Sequence, residues 1–124
     1  MNPRRIDALI AEKVFERDPK QARAGLHLNG DLEYHWGYPI GHAVALCYAE
    51  SIEAAFQVVG QMSKHGYDLT LTVDSHCKKA EAYFHSYDSL SYGKGQSSET
   101  SLAICIAALK AFEVSAQEIE EALS

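Results

Sequence analysis

The stretch Ser51-Ile52-Glu53-Ala54-Ala55-Phe56-Gln57-Val58-Val59-Gly60-Gln61-Met62-Ser63-Lys64-His65-Gly66-Tyr67-Asp68-Leu69-Thr70-Leu71-Thr72-Val73 changes its hydrophobic period partway along. Up to Met62 the apolar residues Ile52, Ala55, Phe56, Val59 and Met62 recur at helical spacing, behind a Ser51 able to cap the first turn. Gly66 stands where a glycine commonly ends a helix. From Tyr67 the period is two, with Leu69, Leu71 and Val73 on one side and Asp68, Thr70 and Thr72 on the other. A helix running into a strand is therefore predicted here. Lys79 to His85 alternates again, Ala80, Ala82 and Phe84 opposing Glu81, Tyr83 and His85, so the two strands read as antiparallel neighbours joined at Asp74 to Lys78.

Working outward, Asp88 to Ser98 is rich in Ser, Gly and Tyr and reads as the longest flexible segment. Leu102, Cys105, Ile106, Leu109 and Phe112 then mark a strongly apolar helix, Ser98 to Phe112 at its widest. A last short helix is predicted after Ser115, where Ser115 and Glu118 form a capping box and Val114 and Ile119 a staple. Upstream, Asn2-Pro3 starts a helix with Ile6, Leu9, Ile10 and Val14 on one face, ending near Arg17 because Asp18-Pro19 follows. Lys20 to Ala24 could be a loop or a frayed turn. Leu26 to Tyr34 reads as a hairpin around Asn29-Gly30-Asp31. Trp36 to Gly41, broken by Gly37, Pro39 and Gly41, reads as loop with short extended pieces. His42 to Tyr48 is either a buried strand or the approach to the Ser51 helix. Helices thus flank a small group of strands, and no internal repeat is visible.

A chain of 124 residues with 47% hydrophobic and 23% charged residues suits one folded domain, residues 1–124. It holds no apolar run long enough to span a bilayer, and no signal-peptide core follows Met1, so a cytoplasmic protein is expected. A net charge of −6 argues against tracking long nucleic acid. Cys47, Cys77 and Cys105 are odd in number and widely spaced, which disfavours a disulfide framework or a zinc site.

The six histidines invite a metal, but none of their spacings suits one, and no bound metal is expected. Neither a nucleophile elbow nor a phosphate-binding glycine loop is present, and Gly93-Lys94-Gly95 is too short to count as one. No catalytic residue and no cofactor are assigned; the expected protein is not an enzyme. What remains is binding chemistry. Tyr34, Trp36, Tyr38, Tyr83, Phe84, Tyr87 and Tyr92 could stack on a base, although such rings more often serve a core or an interface. Ser97, Ser98, Thr100 and Ser101 crowd a helix N-terminus, where hydroxyls and free N–H groups attract phosphate; plain N-capping is the ordinary alternative.

Four stretches carry a resemblance. Arg5-Ile6-Asp7-Ala8-Leu9-Ile10-Ala11-Glu12-Lys13-Val14 and Ser101-Leu102-Ala103-Ile104-Cys105-Ile106-Ala107-Ala108-Leu109-Lys110-Ala111 resemble the two ends of the phage ABA sandwich domain family. Ser51 to Val59, with Gly66-Tyr67-Asp68-Leu69-Thr70-Leu71, is similar to its central helix and following strand. The resemblance implies an α/β (α+β) fold, an α/β/α sandwich around a small antiparallel sheet. The family includes the phage Thoeris anti-defence sponge, a homo-oligomer that sequesters cyclic ADP-ribose isomers without cleaving them; some relatives hold cyclic oligonucleotides at a second site.

The resemblance and the local chemistry together imply a phage anti-defence protein acting in the cytoplasm of the infected bacterial host. Its expected partners are a small cyclic nucleotide and further copies of itself, as a homodimer or a larger assembly such as a hexamer, with no long nucleic acid and no membrane. The candidate ligand residues are Trp36, Tyr38, Tyr83 and Phe84 for the base, Phe84 being either core or pocket by its alternation, with Ser98, Thr100 and Ser101 for the pyrophosphate, in a pocket between protomers. The alternatives are an accessory module that binds a protein, and a small nucleotide hydrolase or lyase.

Overall fold

In the computed structural model, residues 3–16, 23–26, 32–36, 43–44, 48–86 and 91–123 are described. They form α1 (Pro3–Lys13), β1 (Arg23–Leu26), β2 (Leu32–Trp36), β3 (Ala43–Val44), α2 (Ile52–Lys64), β4 (Tyr67–Asp74), β5 (Lys79–Ser86), β6 (Tyr92–Ser97), α3 (Thr100–Ala111) and α4 (Ala116–Leu123). The strands make two antiparallel sheets, in the orders β1-β2-β3 and β4-β5-β6.

The change of period at Gly66 falls where expected. Ser51 Oγ accepts the Ala54 N–H at 3.3 Å, and the chain leaves α2 through Gly66 at φ 87°, a conformation that glycine adopts without strain. The predicted hairpin forms with Leu69 opposite Phe84 and Leu71 opposite Ala82. Its turn is held by Asp74 Oδ1, which accepts the N–H groups of His76 and Cys77 at 2.9 and 3.2 Å. Ser115 Oγ caps α4 by accepting the Glu118 N–H at 3.1 Å, with Val114 and Ile119 both buried.

One face of the β4-β5-β6 sheet carries the core. Ala80, Ala82 and Phe84 are fully or almost fully buried there, beneath α3. Helix α3 is buried on nearly every side, Lys110 excepted, because α1, α2 and α4 pack on it from beyond the sheet. The result is an α+β fold with helices packed on an antiparallel sheet. α3 ends by placing Glu113 at φ 65°, with Glu113 N–H donating to Lys110 O and Val114 N–H to Leu109 O, each at 3.0 Å.

Two buried polar side chains tie these helices together. Asp7 Oδ1 on α1 accepts the Ala49 N–H at 2.9 Å, and Ser101 Oγ on α3 donates to the Ala49 carbonyl at 2.8 Å. The backbone of Ala49, just before α2, is thus gripped from both helices. Burial, with the Asp7 carboxylate nearby, pushes the Cys105 thiol above its ordinary range.

Several boundaries differ from the sequence reading. α1 stops at Lys13 and the chain turns through Glu16 at φ 58°, about a turn before Arg17. Arg23 and Ala24 lie in β1 rather than in a loop or turn, and Trp36 closes β2. Ala43–Val44 is a short strand, so the extended reading of His42 to Tyr48 holds for those two residues. α3 begins at Thr100. The Asn2 cap and the Asn29-Gly30-Asp31 turn lie outside the described residues; the strands on either side of that turn do pair, Leu26 opposite Leu32.

The largest difference is at Tyr92–Ser97, which forms the edge strand β6 instead of a flexible loop. A Cβ on Gly93 would overlap the Ala107 carbonyl oxygen and the Ala111 nitrogen, and one on Gly95 would overlap the Ala103 carbonyl oxygen and the Ala107 nitrogen. These glycines let the Ala103, Ala107 and Ala111 stripe of α3 come down onto the strand. On α2, the apolar stripe is broader than the buried one: Ala54, Ala55, Val58 and Met62 are buried, whereas Ile52 and Phe56 are exposed.

Candidate functional site

Strand register sorts the sheet's side chains between its faces. Residues directly opposite across an antiparallel pair share a face, so Asp68, His85 and Tyr92 form one outer row, Thr70, Tyr83 and Lys94 the next, and Thr72, Glu81 and Gln96 the third. Asp68, Thr70, Thr72, Tyr92, Lys94 and Gln96 are exposed; Glu81, Tyr83 and His85 are half-buried by their neighbours. Rings, hydroxyls, a cation, a carboxylate and an amide therefore share one surface.

The rings cluster. Tyr83 stacks on His85 with centroids 5.1 Å apart and planes 24° from parallel, and tilts against Tyr92 at 6.0 Å. This is an apolar strip with polar tips, suited to stacking on a flat heterocycle. Beside it, Glu81 Oε2 accepts Gln96 Nε2–H at 2.7 Å, and Glu81 Oε1 lies 3.2 Å from Lys94 Nζ. The Gln96 hydrogen bond first, and the Lys94 one second, hold the Glu81 carboxyl below its ordinary range.

Beyond the free side of β6, a cleft of about 360 Å³ opens between that strand, α3 and α4. Buried Ile106 and Ile119 form its floor, while Lys94, Gln96 and Lys110 stand exposed around it, with Glu120 alongside. That volume is at the small end for a nucleotide-sized ligand. Lys94 belongs to both the ring strip and the cleft, so one cation borders both surfaces.

The candidate residues separate on inspection. Tyr83 lies in the ring strip. Phe84, one residue on, points to the opposite face and is 0% exposed, so it has no surface to offer a ligand and is a core residue. Ser101 is corrected likewise: it is buried and its hydroxyl is spent on the Ala49 carbonyl. Ser98 is exposed and Thr100 half-buried, at the start of α3. Glu99 occupies the N-cap position and adds a negative charge there, while Ser97 Oγ accepts the Glu99 N–H at 3.1 Å. The start of α3 thus carries no side-chain cap, while the Glu99 carboxylate opposes an anion there, and the two lysines at the cleft suit an anion better. Trp36 ends β2, but its side chain, like all of Tyr38 and Tyr87, lies outside the described residues.

His85, Glu81, Lys94 and Gln96 are not among the candidate ligand residues read from the sequence. Alternation had placed Glu81, Tyr83 and His85 on one side of a strand, which was a usable signal for the first part of the strip. Lys94 and Gln96 joined it only because Tyr92–Ser97 is a strand, which its glycines conceal. Among the described residues no group of three or more His, Cys, Asp or Glu side chains is placed to hold a metal ion. Nor is any helix among them long and apolar enough to cross a membrane.

Comparison with known proteins adds a lineage. The family profile of the phage ABA sandwich domain matches residues 8–109. A phage protein from Bacillus cereus ATCC 14579, known from a 2.0 Å crystal structure, superposes with a TM-score of 0.62 at 24% identity, covering 92% of this chain and 90% of that one. At that identity the likeness concerns the fold. A comparison with curated proteins found no match.

Proposed function

The chain belongs to the phage ABA sandwich domain family and is a phage accessory protein, and from that premise we propose that it captures a cyclic nucleotide immune signal. The ligand in this reading is a cyclic ADP-ribose isomer made by bacterial Thoeris defence. It is held without cleavage, in the cytoplasm of the infected host, by a homo-oligomer of this chain.

The observation that carries the reading is the outer-face strip in which Tyr83, stacked with His85 and flanked by Tyr92, lies opposite Lys94 on the next strand. Adenine would stack on the ring strip. The pyrophosphate would turn toward the cleft, where Lys94 and Lys110 supply the positive charge that the chain as a whole lacks. Ribose hydroxyls find partners in Glu81, Gln96 and Thr70. Glu81, its carboxylate held by Gln96 and Lys94, is placed to accept a hydrogen bond from such a hydroxyl. Sequestration works by mass action, so the protein must exceed the signal and hold it with a dissociation constant below the signalling concentration.

Titration calorimetry against cyclic ADP-ribose isomers and cyclic di- and trinucleotides, followed by heat denaturation and chromatography of the released ligand, tests this directly. Submicromolar binding with intact release is expected for one isomer. A chemically changed product would assign the site to a hydrolase or lyase, and no binding across the panel would turn the reading to an accessory module that binds a protein.

A further inference from the structure

Strand β6 is an edge whose backbone is turned toward the cleft. Ser86 N–H donates to Ser91 O at 3.0 Å, one step beyond the β5-β6 ladder, so by alternation the bonded pairs of that ladder are Phe84 with Gly93, Ala82 with Gly95 and Ala80 with Ser97. Tyr92, Lys94 and Gln96 consequently point their N–H and C=O groups to the other side, where no strand among the described residues pairs with them. Lys94 is the single charged residue of β6, and its amine is drawn onto Glu81 over the outer face, which leaves the edge itself open. The cleft begins where the edge ends. A Cβ on Gly95 would lie 2.9 Å from that of Ile106, and Ile106, Ala116, Ile119 and Leu123 give the cleft an apolar lining on the α3 side of the sheet. Lys94 and Lys110 are both exposed beside it, and Lys110 forms no ion pair among the described residues.

We propose that the free edge of β6 takes an extended peptide segment of another protein as an added strand, with an apolar residue seated in the cleft and acidic residues flanking it. Three separate features select that occupant. The row of unpaired backbone groups at Tyr92, Lys94 and Gln96 is matched by an extended chain and not by a helix. Side chains along such a chain alternate between the faces of the sheet, so every second one enters the cleft and meets Ile106 and Ile119. The others run along the outer face past Lys94, and Lys110 stands at the rim of the cleft, so carboxylates on the segment meet a cation on either face. A basic segment would set like charges against both lysines. The added strand shares Lys94 and the cleft with the nucleotide proposed above, so either occupant excludes the other, but the edge pairing does not depend on the nucleotide.

Fluorescence anisotropy of a labelled heptapeptide of alternating glutamate and valine, titrated with the full chain, reads this pairing. Binding at about 10–100 μM is expected, since one added strand buries a small area. A peptide with lysine in place of glutamate should bind about tenfold more weakly or worse. N-methylation of one alternate set of peptide nitrogens should abolish binding, while methylation of the other set should leave it within about twofold, because only one set faces β6. Gln96→Pro is the decisive variant of the protein. Its N–H lies on the free side, so the β5-β6 ladder loses no bond and the fold is kept, whereas the edge loses a donor and gains a ring in the path of the added strand. The peptide should bind it about tenfold more weakly or worse, with the circular dichroism spectrum unchanged. Lys94→Glu and Lys110→Glu should each weaken the peptide about fivefold. No binding of the glutamate-valine peptide would overturn the proposal. So would equal effects of the two methylation patterns, or a Gln96→Pro chain that folds and binds as the wild type does.

Discussion

The two faces of the β4-β5-β6 sheet are built from the same three strands, yet they obey different rules. On the inner face the selected property is smallness: Gly93, Gly95 and Ala82 leave space that α3 fills with its own backbone and alanines, and the rings of Phe84 and Tyr67 are buried among them. On the outer face the selected property is chemical variety, with Tyr83, His85 and Tyr92 beside Glu81, Lys94 and Gln96. Neighbouring residues such as Tyr83 and Phe84 therefore serve opposite purposes, one accessible and the other closed.

Substitutions should break that contrast in order of depth. Gly93→Val places a branched side chain into the α3 backbone, and we expect a loss beyond about 4 kcal/mol, seen as failure to fold or a collapsed denaturation midpoint. Phe84→Ala leaves a cavity beneath α3 and should cost about 3 kcal/mol in denaturant titration. Tyr83→Ala should change stability by less than about 1 kcal/mol while weakening nucleotide binding about tenfold in calorimetry. Equal effects of the last two on both readouts would erase the distinction between the faces.

The smallest effect concerns acid. Because the Glu81 carboxyl is held below its ordinary value of 4.5, its contribution to stability is present above that pH and is lost as pH falls through the lower folded value. The difference in thermal midpoint between wild type and Glu81→Gln should accordingly shrink toward zero on acidification from pH ~6 to pH ~3. A difference that stays constant with pH would mean that the outer-face ion pair is idle.

The inner face was harder to foresee than the outer one. The helix–strand switch at Gly66 was legible because local periodicity and local caps agree there. β6 was hidden because Gly93 and Gly95 have the composition of a loop, and their reason is the α3 backbone above them, a partner that alternation along one strand does not reveal. Periodicity does not show the depth of a stripe either: Ile52, Ala55, Phe56, Val59 and Met62 are all apolar, but the body of the fold covers only part of that width and leaves Ile52 and Phe56 exposed. Tyr83 was recognisable as an accessible ring from alternation, whereas its link to Lys94 needed the β5-β6 register. Ser101 carried no local sign of its commitment, since Ala49 is 52 positions away in sequence.

That same grip on Ala49 has a kinetic consequence. Tyr67 to Ala111 supplies β4, β5, β6 and α3 from consecutive residues, so their mutual contacts close short loops and can assemble early. The Ala49 backbone instead joins Asp7 and Ser101 across separations of 42 and 52 residues, and closing such loops costs more chain entropy. The closure of this grip is therefore expected to come late, so that its removal leaves the folding rate nearly unchanged and hastens unfolding.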